Sequence, residues 1–194
     1  MAANKIRYGL KNVHFAKLTE TVDSTTGAVT YSYATPVAWP GAVSLNLEPQ
    51  GEITNEYADD GVWYTFAQNS GYQGDFEYET MPESFRSTIL GETVDSNDVY
   101  IESTGKPTVY FALLFEVNGD AHKSKKCFYK CSATRENVEN ATTEDSIEAT
   151  HGTITITAVG RADGKVKAST GSETDSTTVN GWYNTVYETP AITT

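Results

Sequence analysis

Residues 72–79 read Tyr72-Gln73-Gly74-Asp75-Phe76-Glu77-Tyr78-Glu79. Successive side chains of a β-strand point to opposite faces of its sheet, so Gly74, Phe76 and Tyr78 share one side while Asp75, Glu77 and Glu79 share the other. The segment is a strand with one greasy face and one acidic face. The same period of two runs outward along the chain. Ala42–Glu48 sets Val43, Leu45 and Leu47 against Ser44, Asn46 and Glu48, and residues 153–159 put threonines out and isoleucines in. Near the start, Val13, Phe15 and Lys17 alternate with His14, Ala16 and Leu18. A polar turn at Asp23–Gly27 then leads into a return strand through Val29, Tyr31 and Tyr33.

Turn chemistry divides these strands. Ile53–Ala58 passes through Asp59-Asp60-Gly61 into Val62–Phe66, which predicts a long, bulged hairpin. Helical spacing occurs once, with Met81, Phe85 and Ile89 four apart. Thr80 is the expected cap, Pro82 and Glu83 suit the first turn, and Gly91 is the stop. Residues 108–117 form the most apolar strand, expected at the centre with both faces covered, and Asn118-Gly119 turns the chain into a return over about Lys125–Thr134. From Arg161 to Val179 the Gly/Ser/Thr/Asp-rich sequence reads as a loop. Trp182, Tyr183, Val186 and Tyr187 follow it and need either the body or another chain to pack on. The fold class is therefore mainly β, with one flanking α-helix, a long hairpin and extended terminal arms. Residues 1–160 are expected to form the body, with residues 1–10 as an N-terminal arm, and 161–194 a C-terminal arm.

The chain has 194 residues, with 14 Lys+Arg against 26 Asp+Glu, a net charge of −12. A chain of this length buries roughly 70% of its unfolded surface, enough for a core without metals or disulfides. No apolar run nears the ~18 residues of a membrane span, and Met1–Lys5 lacks the apolar core of a secretory signal. The acidity argues against adhesion to nucleic acid, which needs clustered Lys/Arg to displace counterions. Lys123, Lys125 and Lys126, beside Asp120, read as a solvated face. Cys127 and Cys131, four apart in an alternating segment, are expected on one face of a strand, reduced and part-buried.

Catalytic signatures are lacking: the sequence has no phosphate-binding Gly loop, no Gly-x-Ser-x-Gly and no His-Glu-x-x-His. His14, His122 and His151 are scattered, and with Cys127 and Cys131 they match no zinc spacing. Asp59-Asp60-Gly61 lacks the remaining positions of a calcium loop. No catalytic residue, metal or cofactor is expected. Paired carboxylates are the one route to acid/base chemistry, since Asp75, Glu77 and Glu79 share a strand face and Glu48, Glu52 and Glu56 precede them. A glycosidase would need two such groups at a set separation in a cleft. The plainer account is an acidic face that keeps a strand in water.

Particular residues carry a family likeness. Tyr8–Ala16, Pro40–Leu45 and Gly71–Gly74 lead the series. Met81–Phe85 with Ile89–Gly91, Phe111–Phe115 with Asn118–Asp120, and Trp182–Tyr187 follow in order. Together they resemble the major tail protein of long-tailed phages of Gram-positive bacteria, the phi13-type tail tube family. The resemblance implies a β-sandwich with one flanking helix, closing into six-membered rings that stack into the tube through which the genome leaves the virion. It implies contacts with copies of itself, with tape-measure and tail terminator or tip proteins, and with double-stranded DNA passing through without tight binding.

Within that expectation Asp75, Glu77 and Glu79 face the lumen, with Glu48, Glu52 and Glu56 as weaker candidates. An acidic wall repels a duplex that carries one phosphate charge per roughly 1.7 Å. Contacts between subunits and rings are expected from Tyr8 and Leu10 near the N-terminus, Tyr57 and Trp63 in the hairpin, and Trp182, Tyr183 and Tyr187 at the end, because aromatic anchors dominate interfaces. Removing the chain after Arg161 should then block assembly and leave the sandwich folded. The alternative from another class is a glycan-binding β-sandwich module on a virion or cell surface, with Tyr and Trp as stacking surface.

Overall fold

The computed structural model describes residues 8–119, 123–138, 142 and 150–190. Most of the expected N-terminal arm, together with Asp120 and His122, lies outside them. In chain order the elements are β1 (Leu10–Val22), β2 (Val29–Tyr33), β3 (Val37–Ala38), β4 (Ala42–Gln50), β5 (Ile53–Ala58), β6 (Gly61–Ala67), β7 (Gly71–Tyr78) and α1 (Glu83–Thr88). There follow β8 (Thr93–Val94), β9 (Tyr100–Ile101), β10 (Phe111–Val117), β11 (Lys125–Ala133), β12 (Gly152–Ala158), β13 (Lys167–Ser169) and α2 (Ser176–Gly181). One antiparallel sheet runs β2-β1-β10-β11-β12-β7-β4, with β3 added to β1 and β13 to β11. The pairs β5–β6 and β8–β9 stand apart as separate hairpins. The architecture is mainly β, in keeping with a β-sandwich.

Strand β10 is central and apolar on both faces. Phe111, Leu113 and Phe115 enter the main core, while Ala112 and Leu114 enter a second, smaller one. In the main core Trp39 meets Phe76, Tyr78 and Phe85 with ring centroids 5.0, 4.9 and 4.5 Å apart, and its indole nitrogen donates to the Thr80 carbonyl at 3.1 Å. Met81, Phe85 and Ile89 lie along the buried side of α1, as their spacing predicts. Thr80 does not cap this helix: the residue at that position is Pro82, with no side-chain cap, and Thr80 serves Trp39 instead.

Two bulges overturn strict alternation. Between Ala42 and Ser44 the β4 register shifts against β7, so Ala42 packs on the main core and Val43 is exposed. Between Phe111↔Cys131 and Leu113↔Phe128, two steps on β10 face three on β11. An extra residue flips every later side chain to the other face. Cys127 therefore enters the second core and Cys131 the main core; both are free and fully buried rather than sharing a face.

The C-terminal segment also departs from its reading as a loop, and of the two surfaces open to its aromatics, the body or another chain, they take the body. Pairing of β13 with β11 brings it onto the body, and α2 follows, its Asp175 carboxylate accepting from the amides of Thr177 and Thr178 at 2.9 and 3.2 Å. Trp182 and Val186 then close the second core over Ala16, Ala112, Leu114, Cys127 and Tyr129. Fully burying a large apolar side chain is worth roughly 1.5–3 kcal/mol, so the segment holds the body with several kcal/mol.

Candidate functional site

Strand β7 lies between β4 and β12, and its partners stand in straight rows: Ser44–Glu77–Thr153, Asn46–Asp75–Thr155 and Glu48–Gln73–Thr157. These nine side chains alternate with core-facing Leu45, Leu47, Phe76, Ile154 and Ile156, so they share the outer face. Three are acidic, none is basic, and the rest carry hydroxyls or amides. The face is tied together by its own hydrogen bonds, Ser44 donating to Glu77 and Thr155 to Asp75, each at 2.8 Å. Gly74 makes the close β4–β7 pairing feasible, since a Cβ there would stand 1.8 Å from the Asn46 carbonyl oxygen.

The six predicted acids therefore divide. Glu48, Asp75 and Glu77 occupy this one face. Glu79 lies just past β7, 3.5 Å from His151 Nδ1. Glu52 and Glu56 belong to the projecting hairpin and stand apart from the face.

That hairpin continues the β4–β7 ladder through two links across the gap, from the Ser70 amide to the Gln50 carbonyl at 2.9 Å and from the Gln68 amide to the Glu52 carbonyl at 3.0 Å. Every residue of β5 and β6 is exposed, including Ile53, Val62, Tyr64 and Phe66, with Tyr57 and Trp63 at 70% and 72%. Asp59 and Asp60 both take positive φ, 49° and 62°, which matches the twist of a two-residue hairpin turn. The register slips between Glu56 and Tyr57, giving the predicted bulge. An isolated two-stranded hairpin is marginal in water, and this one leaves Tyr57, Trp63, Tyr64 and Phe66 exposed together.

The remaining contact candidates lie elsewhere. Tyr8 is 62% exposed, its carbonyl accepting from the Gly119 amide at 2.7 Å, while Leu10 packs on the main core. Trp182 is 3% exposed and stacks on Tyr187, and Tyr183 stacks on His14 at 4.4 Å. The terminal aromatics thus spend most of their surface inside their own chain. Exposed apolar area concentrates on the hairpin.

A model of the phage tail tube protein family matches residues 40–185. The chain belongs to the phage tail tube protein family. No curated protein matches it. The span covers the acidic face and the hairpin and, of the second core, Ala112, Leu114, Cys127, Tyr129 and Trp182. Membership makes this a structural component of the phage tail that assembles with itself into a tube. Two residues central to the tail tube chain had no signal in the sequence. Trp39 organises the main core, and Arg161, 5% exposed, sits between the rings of Tyr31 and Tyr129 at 4.2 and 4.9 Å.

Proposed function

We propose that this tail tube chain closes into hexameric rings, that the rings stack, and that the outer face of β4, β7 and β12 lines the resulting conduit for genome ejection. The hairpin carries this reading: six large apolar side chains on an arm that its own body leaves in water require other copies to cover them. The acidic face supplies the second half of the function. Glu48, Asp75 and Glu77, which form no ion pair among the described residues, repel duplex DNA, and screening confines that repulsion to about 8 Å at physiological salt, so the wall lubricates at short range without opposing passage. Glu79 extends the same charge at the end of the face.

On this reading the chain is a phi13-type major tail protein, made in the cytoplasm of its bacterial host and built into the virion tail. Its partners are copies of itself, the tape-measure protein and the tail terminator and tip proteins, with DNA passing through unbound, and it has no catalytic role. Electron microscopy of the purified chain, with mass measurement, tests it. Six-membered rings or tubes are expected. A protein that stays monomeric at high concentration and binds a glycan would replace the tube with the sugar-binding module.

A further inference from the structure

We infer that Lys125 and Asn12 are the two ends of a self-formed amide cross-link, with Glu116 between them as its proton carrier. The inference stands apart from the tube reading. Register sets Lys11, Glu116 and Lys125 in one row across β1, β10 and β11. Strict alternation would turn Asn12, the next residue of β1, to the opposite face of the sheet. The bulge between Lys11 and His14 turns it back. Asn12 takes a φ of 52°, a left-handed conformation that asparagine tolerates, and its Nδ2 donates to Glu116 Oε2 at 3.2 Å.

The lysine approaches from the other side of Glu116. Its Nζ lies 4.9 Å from the centre of the Tyr183 ring, and that ring stacks at 4.4 Å on His14 of β1. One ring thus links the lysine of β11 to the strand that carries Asn12. Two strand spacings, about 10 Å, separate the β1 and β11 backbones, a gap that an extended lysine and an asparagine span together. Nζ donates to the Val179 carbonyl at 2.7 Å, and rotation about its staggered torsions frees it toward Asn12.

Burial singles out the carboxylate. Glu116 at 6% and Arg161 at 5% are the buried charged side chains among the described residues. Arg161 is matched by Asp163 and Glu188. Glu116 forms no ion pair among the described residues, and what its side chain holds is the Asn12 amide. A buried carboxylate with no cation is costly to keep for structure alone. Set between an amide and an amine, it is the group that an exchange of one amide for another requires.

The reaction needs nothing from outside the chain. Nζ, as the free amine, adds to Asn12 Cγ, and the Cγ–Nδ2 bond breaks. One proton passes from Nζ to Glu116 and from Glu116 to Nδ2, which leaves as ammonia. One amide is lost and one is made, and nothing is oxidised or reduced. Holding the three groups in one row replaces the encounter that makes the same exchange slow in solution. The product ties β1 to β11 across β10, so the first strand cannot peel from the sheet while the bond stands.

Intact mass and tryptic mapping of the full chain test this. The unmodified protein should be one ammonia lighter than its sequence. It should yield a branched peptide joining residues 12–17 to residues 124–126, since trypsin does not cut after an acylated lysine. Asn12→Asp keeps the side-chain shape and should lose a water in place of ammonia. Lys125→Arg keeps a donor for Val179, and Glu116→Gln keeps a polar side chain in the same space; both should run at full sequence mass with linear peptides only. Linear peptides from the unmodified chain overturn the cross-link and leave Asn12 and Glu116 a hydrogen bond only. An ammonia loss that persists in Lys125→Arg overturns it too, and assigns the loss to cyclisation at Asn118-Gly119 or Asn180-Gly181. A branched peptide that survives in Glu116→Gln removes Glu116 as the proton carrier.

Discussion

Arg161 donates through Nη1 to a carboxylate oxygen of Glu188, tying the two ends of the C-terminal segment across 27 residues of chain. The same guanidinium reaches Asp163 at 2.5 Å and the Tyr33 hydroxyl at 3.1 Å. Its side chain is 3% exposed, whereas those of Asp163 and Glu188 are 35% and 40% exposed. Removing the cation therefore leaves carboxylates that can still reach water. Arg161→Ala should cost less than the roughly 3–5 kcal/mol of a broken fully buried pair, on the order of 2 kcal/mol by denaturant unfolding. Arg161→Lys should recover little, because an ammonium lacks the planar fork that serves three side chains at once beside two rings. An alanine variant with an unchanged midpoint would show that the segment is held without this cluster.

Acid should loosen the same cluster. The Arg161 guanidinium holds the Asp163 carboxyl at a pKa of about 2, below its ordinary 3.8. A carboxylate whose folded pKa is lowered lends stability that is complete above its unfolded pKa and disappears as pH falls through the folded one. The contribution should therefore be present at pH 5 and fade between about 4 and 2. Asp163→Asn should flatten the stability profile in that window and leave it alone above. A profile identical in the two proteins below pH 4 would refute the pairing.

Trp182 covers Cys127, and that gives a chemical readout of the second core. Burial pushes the Cys127 thiol well above its ordinary pKa, so it should be inert to maleimide in the folded protein. Trp182→Ala should cost about 3–5 kcal/mol through the cavity it leaves and make Cys127 reactive, while Cys131, in the main core, stays protected. Labelling of Cys131 first, or of both together, would contradict the bulge that separates them.

The strands were legible because alternation is written residue by residue: Phe76 and Tyr78 against Asp75 and Glu77 need no tertiary information. The hairpin was legible for the same reason, with Asp59-Asp60-Gly61 naming its turn. What escaped notice depends on partners distant in sequence. The β11 bulge exists because β10 and β11 must match over Phe111–Leu113, and nothing between Cys127 and Cys131 announces it. Helix α2 has no apolar period; an Asp cap and packing at its far end hold its six residues. Trp182 looked like an anchor for a neighbour because a polar stretch precedes it, yet that stretch is the bridge that brings it home. Ending the chain at Arg161 would thus strip the second core, so loss of assembly in such a truncation would not isolate a contact role. Among the acids, the strand period grouped Asp75 with Glu77, but only the β4 register separates Glu48 from Glu52 and Glu56.

The acidic face can be tested without disturbing the fold. Asp75 and Glu77 each accept one exposed hydrogen bond, from Thr155 and Ser44, so Asp75→Lys with Glu77→Lys should alter stability by no more than about 1 kcal/mol per lost bond. In assembled tubes the effect should be large. Each ring would replace repelling charges by attracting ones at every subunit, and duplex fragments should be retained at low salt. Phosphate contacts weaken steeply with salt, so release is expected between about 50 and 200 mM. Tubes of the unmodified protein should retain nothing across that range. Nuclease distinguishes inside from outside: DNA held in a lumen is protected along the tube, whereas DNA held on the exterior is digested. Retained but digestible DNA would place β4, β7 and β12 on the outer wall and remove these residues from the conduit, whatever the fate of the tube itself.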